Sequence, residues 1–391
     1  MTRAPDGKPN GDMRGLIAPI GAIAVVGLGF SITLPLLALT LEDRGIPTTW
    51  IGINTAVWGI ASMAVTPLIS RLAVRLGTAL LLILSMLTIA VALPLFYFSP
   101  FWLWFPLRLV AGATITIVFV LSEFWISTVA PPEKRGIIMG IYATVLSFGF
   151  ALGPFILTLT GTQGFLPFAV GACVLVAGVL PVLTGLRSAP VLHHEQHGTF
   201  WRFLFLAPVA TGAALLFGTI ESGAFALLPL YGQHVGHARD VVILLGVGIT
   251  VGNIVLQIPM GLLSDRMDRR KLLLILGLLG LAGAAVIPLV AAMFWPFMIL
   301  LAIWGGTVGA LYTVGLAHLS ARFRGADLAA ANAAFIFCYS AGGLAGPAII
   351  GASMDHWDPH GFVVAICGFF LAYLAMVLVR MSRAKTVAGI S

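Results

Sequence analysis

Apolar residues run along this chain in continuous stretches of roughly twenty, separated by short segments rich in charge, Gly and Pro. Breaking the chain at those segments predicts twelve helices. They cover approximately 15–39, 50–70, 77–97, 101–124, 137–159 and 165–186, then 203–231, 241–262, 272–292, 295–319, 329–352 and 361–380. At 1.5 Å per residue each stretch matches a bilayer core about 30 Å thick. A transmembrane barrel would instead show alternating segments of about ten residues. The pattern implies an all-α membrane protein.

Composition agrees, since 60% of the 391 residues are hydrophobic and 9% are charged, against about 25% charged in soluble domains. The charges give the orientation. Of the 21 Lys and Arg, only Arg44 and Arg239 fall on one side, Arg108 lies within a span, and the other 18 lie in the tails and the loops of the opposite side. Basic residues collect on the cytoplasmic side, so both termini are expected in the cytoplasm of a cell whose plasma (inner) membrane holds the chain. The net charge of +7 then reports topology and anionic lipid headgroups rather than nucleic acid. Cys173, Cys338 and Cys367 all fall inside predicted spans, so no disulfide framework is implied. The polar first fourteen residues carry no convincing cleavage site, and the first span is expected to be retained.

Two intramembrane charges break the apolar pattern. Glu221 sits within "LLFGTIESGAFALLPL" (215–230), and Arg108 within the fourth span. A charge at a helix centre costs roughly 2.5–3.5 kcal/mol on the insertion scale, and such residues usually face a wet pathway. Apolar surroundings disfavour the ionised form of Glu221, so it is a candidate to load and release a proton. Its alternative is a permanently neutral acid bonded to a neighbouring helix. Counting at 1.5 Å per residue puts Arg108 about 10 Å and Glu221 about 15 Å below the same membrane face. Their separation is expected to vary between transport states and to drive proton binding; alternatively Arg108 bonds only within its own bundle.

The chain repeats itself. "TPLISRLAVRLG" (66–77) answers "QIPMGLLSDRMD" (257–268) at an offset of 191, "FALGP" (150–154) answers "GLAGP" (343–347) at 193, and "LPL" recurs at 194. The expected organisation is a six-helix bundle over 1–187, a linker over 188–202 and a second six-helix bundle over 203–391. The linker's "HHEQH" (193–197) reads as solvated chain rather than a metal site.

"GLLSDRMDRR" (261–270) resembles the loop signature of the major facilitator superfamily, Gly-x-x-x-Asp-Arg-x-Gly-Arg-Arg, with Asp268 where Gly is usual. "RLVAG" (108–112) is similar to the superfamily's fourth-span Arg-x-x-x-Gly, and "GFALGP" (149–154) to an element of its antiporters. "SEFW", "PLYG" and "LYTVGLAHLSARFRGADLAAANAAF" resemble its YcaD-like branch.

The resemblance implies two pseudo-symmetric six-helix bundles, alternating access, and a cavity lined by spans 1, 4, 7 and 10. Phe30, Thr116, Phe119, Thr219, Ser222, Phe225, Thr307 and Tyr312 would line it, and such a lining suits an amphipathic molecule. Asp265, Arg266, Arg269 and Arg270 would close the cytoplasmic face against "PPEKRG" (131–136), which contains Arg135. The first-half copy keeps Arg71 and Arg75 but has Val74 in place of the acid, so Glu123 is expected to supply the missing carboxylate. Trp50, Trp102, Trp104 and Trp295 are expected in an aromatic belt. His318 is read as interfacial packing. "GVGITVG" (246–252) lies inside an apolar span and reads as close helix packing rather than a nucleotide fingerprint.

The expected activity is secondary transport of a small organic molecule, coupled to protons and directed outward. An uptake symporter or facilitator is the alternative; a membrane sensor and a membrane enzyme are the other classes. The partners are a small-molecule substrate, protons and the bilayer. No cofactor is expected, and the protein is expected to act as a monomer.

Overall fold

The computed structural model describes residues 14–130, 135–186, 189–190, 201–323 and 325–388. The first half holds α1 (Arg14–Asp43), α2 (Thr48–Leu76), α3 (Thr78–Phe98), α4 (Trp104–Val129), α5 (Arg135–Thr160), α6 (Leu166–Ala177) and α7 (Val179–Thr184). The second holds α8 (Trp201–Leu206), α9 (Pro208–His234), α10 (Arg239–Val242), α11 (Leu245–Arg266), α12 (Arg269–Val290), α13 (Phe294–Arg322), α14 (Gly325–His356) and α15 (Gly361–Ala388). No strand occurs among the described residues. With no water in the hydrocarbon to satisfy backbone groups, helices satisfy them internally.

Three predicted spans are each built from two helices: α6 with α7, α8 with α9, and α10 with α11. Pro208 stands at the start of α9 after the non-helical Ala207. A proline lacks the N–H needed to continue a helix through it, which splits the predicted 203–231 span. Among the described residues eleven segments are long and apolar enough to cross a membrane; α5 adds a shorter apolar stretch, Thr144–Thr160. "HHEQH" lies outside the described residues.

Packing follows the repeat. In the first half α1 packs on α5, α2 on α4, and α3 on α6; in the second α9 packs on α14, α11 on α13, and α12 on α15. The halves meet where α2 packs on α14, α5 on α11, and α1 on α9.

The two related Gly-Pro elements serve this packing. A Cβ on Gly149 of α5 would fall 2.8 Å from the Ala24 carbonyl of α1, and one on Gly346 of α14 would lie 2.8 Å from Cα of Thr219 in α9. Only glycine permits backbones this close, as small-residue membrane interfaces require.

One belt residue is misplaced by the sequence reading. Trp50, Trp102 and Trp295 are exposed, but Trp104 is fully buried. Its ring lies 5.0 Å from the Phe96 ring, and the Arg44 guanidinium sits 5.0 Å from its centroid. A cation over its face made inward packing more favourable than the interface.

Candidate functional site

Glu221 lies where the halves meet. The Tyr339 hydroxyl of α14 donates to its Oε2 at 2.5 Å. Gly218 makes this approach possible, because a Cβ there would collide with the Tyr339 carbonyl. Phe217 stacks on Tyr339 at 6.0 Å between centroids, and Tyr312 of α13 packs against Phe217 at 5.1 Å and Tyr339 at 6.0 Å.

Tyr339 also reaches the other half, meeting Trp58 of α2 at 6.3 Å. From Trp58 the rings continue to Phe30 at 5.3 Å, to Phe150 at 6.1 Å and back across to Phe225 at 5.7 Å. The carboxyl therefore stands at one end of an aromatic wall that passes between the bundles rather than against lipid tails. Of the expected lining residues, Phe30, Phe225 and Tyr312 belong to this wall or its immediate neighbours.

A second carboxylate lies within electrostatic range of the same region. Glu123 of α4 lies four residues beyond Phe119, so the two share one helix face; both are exposed. Tyr312 lies in the electrostatic field of both Glu123 and Glu221, as does Tyr142 of α5 in that of Glu123. Two acids from opposite halves thus lie within electrostatic range of one tyrosine. In this conformation no ion pair joins Glu123 to Arg71 or Arg75 among the described residues, contrary to the sequence expectation. Arg71 and Arg75 are exposed at the end of α2, whereas Glu123 lies within electrostatic range of Tyr312 in the other half.

Arg108 stays within its own half. It is buried at 5% exposure, its Nε donates to Asn54 Oδ1 of α2 at 3.0 Å, and its guanidinium sits 6.0 Å from the Phe96 ring. The structure does not pair it with Glu221.

The hydroxyls expected to meet substrate are mostly engaged elsewhere. Thr116 donates to the Gly112 carbonyl at 2.8 Å, Thr307 to Ile303 at 2.9 Å, and Ser222 to Gly218 at 2.5 Å. All three are buried. In an apolar medium a hydroxyl donor bonds back to the carbonyl four residues earlier when nothing better is near. Thr219 is fully buried where α14 packs on α9, and its hydroxyl has no partner. Thr116, Thr307 and Ser222 thus turn their donors to their own helix, and Thr219 is enclosed where α9 and α14 pack.

The basic face carries the loop signature. Asp265 pairs with Arg269 at 3.3 Å within its own loop, and Arg269 Nε also bonds Ser264 at 3.2 Å. Arg266 is exposed and Arg270 half-buried. Residues 131–134, the expected neighbour of Asp265, and the side chain of Arg135 lie outside the described residues. Asp268, where the signature usually has Gly, caps α12: its Oδ1 accepts from the backbone N–H groups of Arg270 at 2.8 Å and Lys271 at 3.1 Å. The Lys271 N–H, then that of Arg270, holds this carboxyl below the usual aspartate range. An aspartate before a basic helix start is a capping signal visible in sequence.

At the opposite face a polar ring joins the halves, and sequence reading did not find it. Asp355 of α14 accepts from the backbone N–H of Thr48 at 2.9 Å and of Thr49 at 2.7 Å, and bonds the Thr48 hydroxyl. Pro47 precedes α2 without a side-chain cap, so a carboxylate from the second half caps a helix of the first. His234 bridges Glu42 and Asp358. Arg239 forks onto both oxygens of Asp43 and bonds Thr162 at 2.6 Å. The clue in sequence was the acidic character of the short loops on this side.

Known proteins share this architecture. The family described as Major Facilitator Superfamily matches residues 20–254 and 213–389. The MFS-type transporter YfkF of Bacillus subtilis (strain 168) is 25% identical over 346 residues, covering 86% of this chain and 88% of that protein. The MFS-type transporter YcaD of Escherichia fergusonii is 24% identical over 364 residues, covering 92% and 94%. Among solved structures, a mutant form of the nucleoside transporter NupG superposes with a TM-score of 0.76 at 12% identity, over 93% of this chain and 99% of that one. A bacterial homologue of the human lysosomal transporter Spinster, inward-facing and unoccupied, gives 0.69 at 13% identity, over 96% and 94%. By sequence match along nearly its whole length, and by its twelve-span plan, the chain belongs to the Major Facilitator Superfamily of membrane transporters.

Proposed function

We propose that the protein is a proton-coupled exporter of a small amphipathic organic molecule, working by alternating access in the inner membrane. The observation that carries this reading is the Glu221 carboxyl bonded by Tyr339 beside the ring that touches the other half. A carboxyl at a moving seam changes its neighbours as the bundles rock, and proton affinity follows neighbours. The aromatic wall offers stacking surface and few hydrogen-bond partners, which favours an amphipathic ligand over a sugar.

Basic-residue bias supports a cytoplasmic location for the Arg71 and Asp265 loops. The polar ring closes the other face, and this arrangement corresponds to an inward-facing state. Outward direction is assigned because "GFALGP" resembles an antiporter element.

The test uses purified protein in proteoliposomes loaded with a pH-sensitive dye, with substrates found by thermal-shift screening. Wild type is expected to exchange substrate for protons. Glu221→Gln is expected to retain substrate exchange between compartments without moving protons. Proton movement at the wild-type ratio in that variant sinks the coupling role.

A further inference from the structure

Arg108 presents a problem that the coupling scheme leaves unsolved. A guanidinium stays charged in proteins and carries five donors. At 5% exposure this one has a neutral amide and an aromatic face as its partners, and no carboxylate pairs with it among the described residues. Its Nη2 is buried without a hydrogen-bond partner, and so is the Nδ2 of the fully buried Asn54 to which it is bonded. Each orphan donor carries a desolvation penalty, larger where the group is charged.

Arg108 lines a cavity of about 20 Å³, with Phe30, Thr33, Trp58, Phe96 and Gly112 among its walls. That is room for one small group, since a single water needs about 10–15 Å³. The walls carry no negative charge: apart from Thr33, whose hydroxyl donates to the Gly29 carbonyl at 2.6 Å, and Trp58, the side chains that line the cavity with Arg108 are apolar. The site therefore has unpaired donors, a net positive charge and a small void, and no negative group balances it among the described residues. Trp58 and Phe30 belong both to this cavity and to the inter-bundle aromatic wall, so a group arriving between the halves meets these two rings first.

We propose that Arg108 and Asn54 form a binding site for one small monovalent anionic group, either a free halide or the carboxylate end of an organic molecule. The guanidinium fork suits a planar carboxylate as well as a spherical ion. An anion there supplies the missing counter-charge and takes the two orphan donors. This site is independent of proton coupling at Glu221, so either assignment can fail alone.

The experiment measures melting of the purified full-length protein in sodium gluconate, chloride, bromide and formate at constant ionic strength. Chloride, bromide and formate are expected to raise the melting temperature saturably, by about 1–2 °C at tenfold excess over Kd, with gluconate as the reference because the hydroxylated carbon next to its carboxylate does not pass between the apolar rings of Phe30 and Trp58. Stabilisation by formate but not by the halides identifies the occupant as a carboxylate end; stabilisation by all three identifies a free ion. Arg108→Gln is expected to abolish the effect.

Because that variant removes a buried group and folds less well, Asn54→Asp provides the second arm. It places a carboxylate beside the guanidinium, and the protein in gluconate should then melt as high as wild type in chloride, with no further response to anions. Equal melting of wild type in all four salts overturns the proposal, as does an unchanged anion response in Asn54→Asp.

Discussion

Asp355, near the end of α14, caps the start of α2 by accepting the backbone N–H groups of Thr48 and Thr49 at 2.9 and 2.7 Å. A helix normally draws its N-terminal cap from its own preceding residue. Here Pro47 occupies that place, and the cap comes from the other half. The capping bond therefore exists only while this face is closed. Removing it with Asp355→Ala leaves two helix-end donors to water and is expected to weaken closure by about 1 kcal/mol, roughly fivefold in the ratio of closed to open forms. Paired spin labels on α2 and α14 measure that ratio, and an unchanged distance distribution contradicts the role.

His234 links the same halves through Glu42, 2.9 Å from its Nε2, and holds Asp358 through its other nitrogen. Partly exposed pairs contribute about 0–1 kcal/mol each, so His234→Ala alone should shift the equilibrium a few-fold. Combined with Asp355→Ala its effect should add, because the two contacts share no partner. Reactivity of a cysteine placed below the ring, tested with an impermeant reagent, reports the opening.

Tyr339→Phe deletes the hydroxyl that donates to Glu221 and keeps the ring against Trp58 and Phe217. Substrate affinity that depends on stacking should persist, while the pH profile of transport should move. A variant with an unchanged pH profile and lowered affinity assigns Tyr339 to ligand contact alone.

Asp268 gives a prediction outside the membrane. Its carboxyl is held below the usual range by the Lys271 and Arg270 N–H groups. A carboxylate whose folded-state value is depressed contributes stability above its unfolded value of about 3.9 and loses it as pH falls further. Asp268→Ala should lower stability by about 1 kcal/mol at neutral pH and by progressively less below about pH 4. Asp268→Ser, which still caps, should recover most of the loss at neutral pH. Chemical denaturation in detergent at several pH values checks both.

Gly346→Leu should be more damaging than any of these. Even a Cβ at that position meets the Thr219 backbone at 2.8 Å, and two backbones packed this closely have no side chain to move aside. Loss of folded protein on size-exclusion chromatography is the expected result, whereas Leu substitution at Gly261, which faces open space, should be tolerated.

The architecture was legible because bilayer thickness and internal repetition leave a large imprint on composition. Spans, halves and loop signature all follow from short-range pattern. The site was legible only at its charges. Glu221 and Arg108 announced themselves by being costly where they stand, but Tyr339, Trp58 and Asn54 belong to apolar-looking helices 2 and 11 of the spans, outside the set expected to line the cavity. Nothing in a period of 3.6 residues says which distant helix a tyrosine will touch. The hydroxyls of Thr116, Thr307 and Ser222 look available in sequence for a related reason, yet each finds a carbonyl of its own helix within reach. Glu123 stands near the end of α4 without an ion pair to Arg71 or Arg75 in this conformation, and loop charges and helix charges at similar depth are indistinguishable in sequence without the azimuth.

The α2–α14 contact is made of main chain against main chain: Gly52 lies under the Pro347 carbonyl, Gly59 against Leu344, and Gly351 under the carbonyl of Thr48. Long side chains can stretch and follow a retreating partner, but peptide groups in direct contact lose their attraction within a fraction of an ångström. Such a seam behaves like a zip with rigid teeth, either meshed or apart. Intermediate angles between the bundles are therefore poorly populated, and a single-molecule trajectory of the protein should hop between two levels rather than drift.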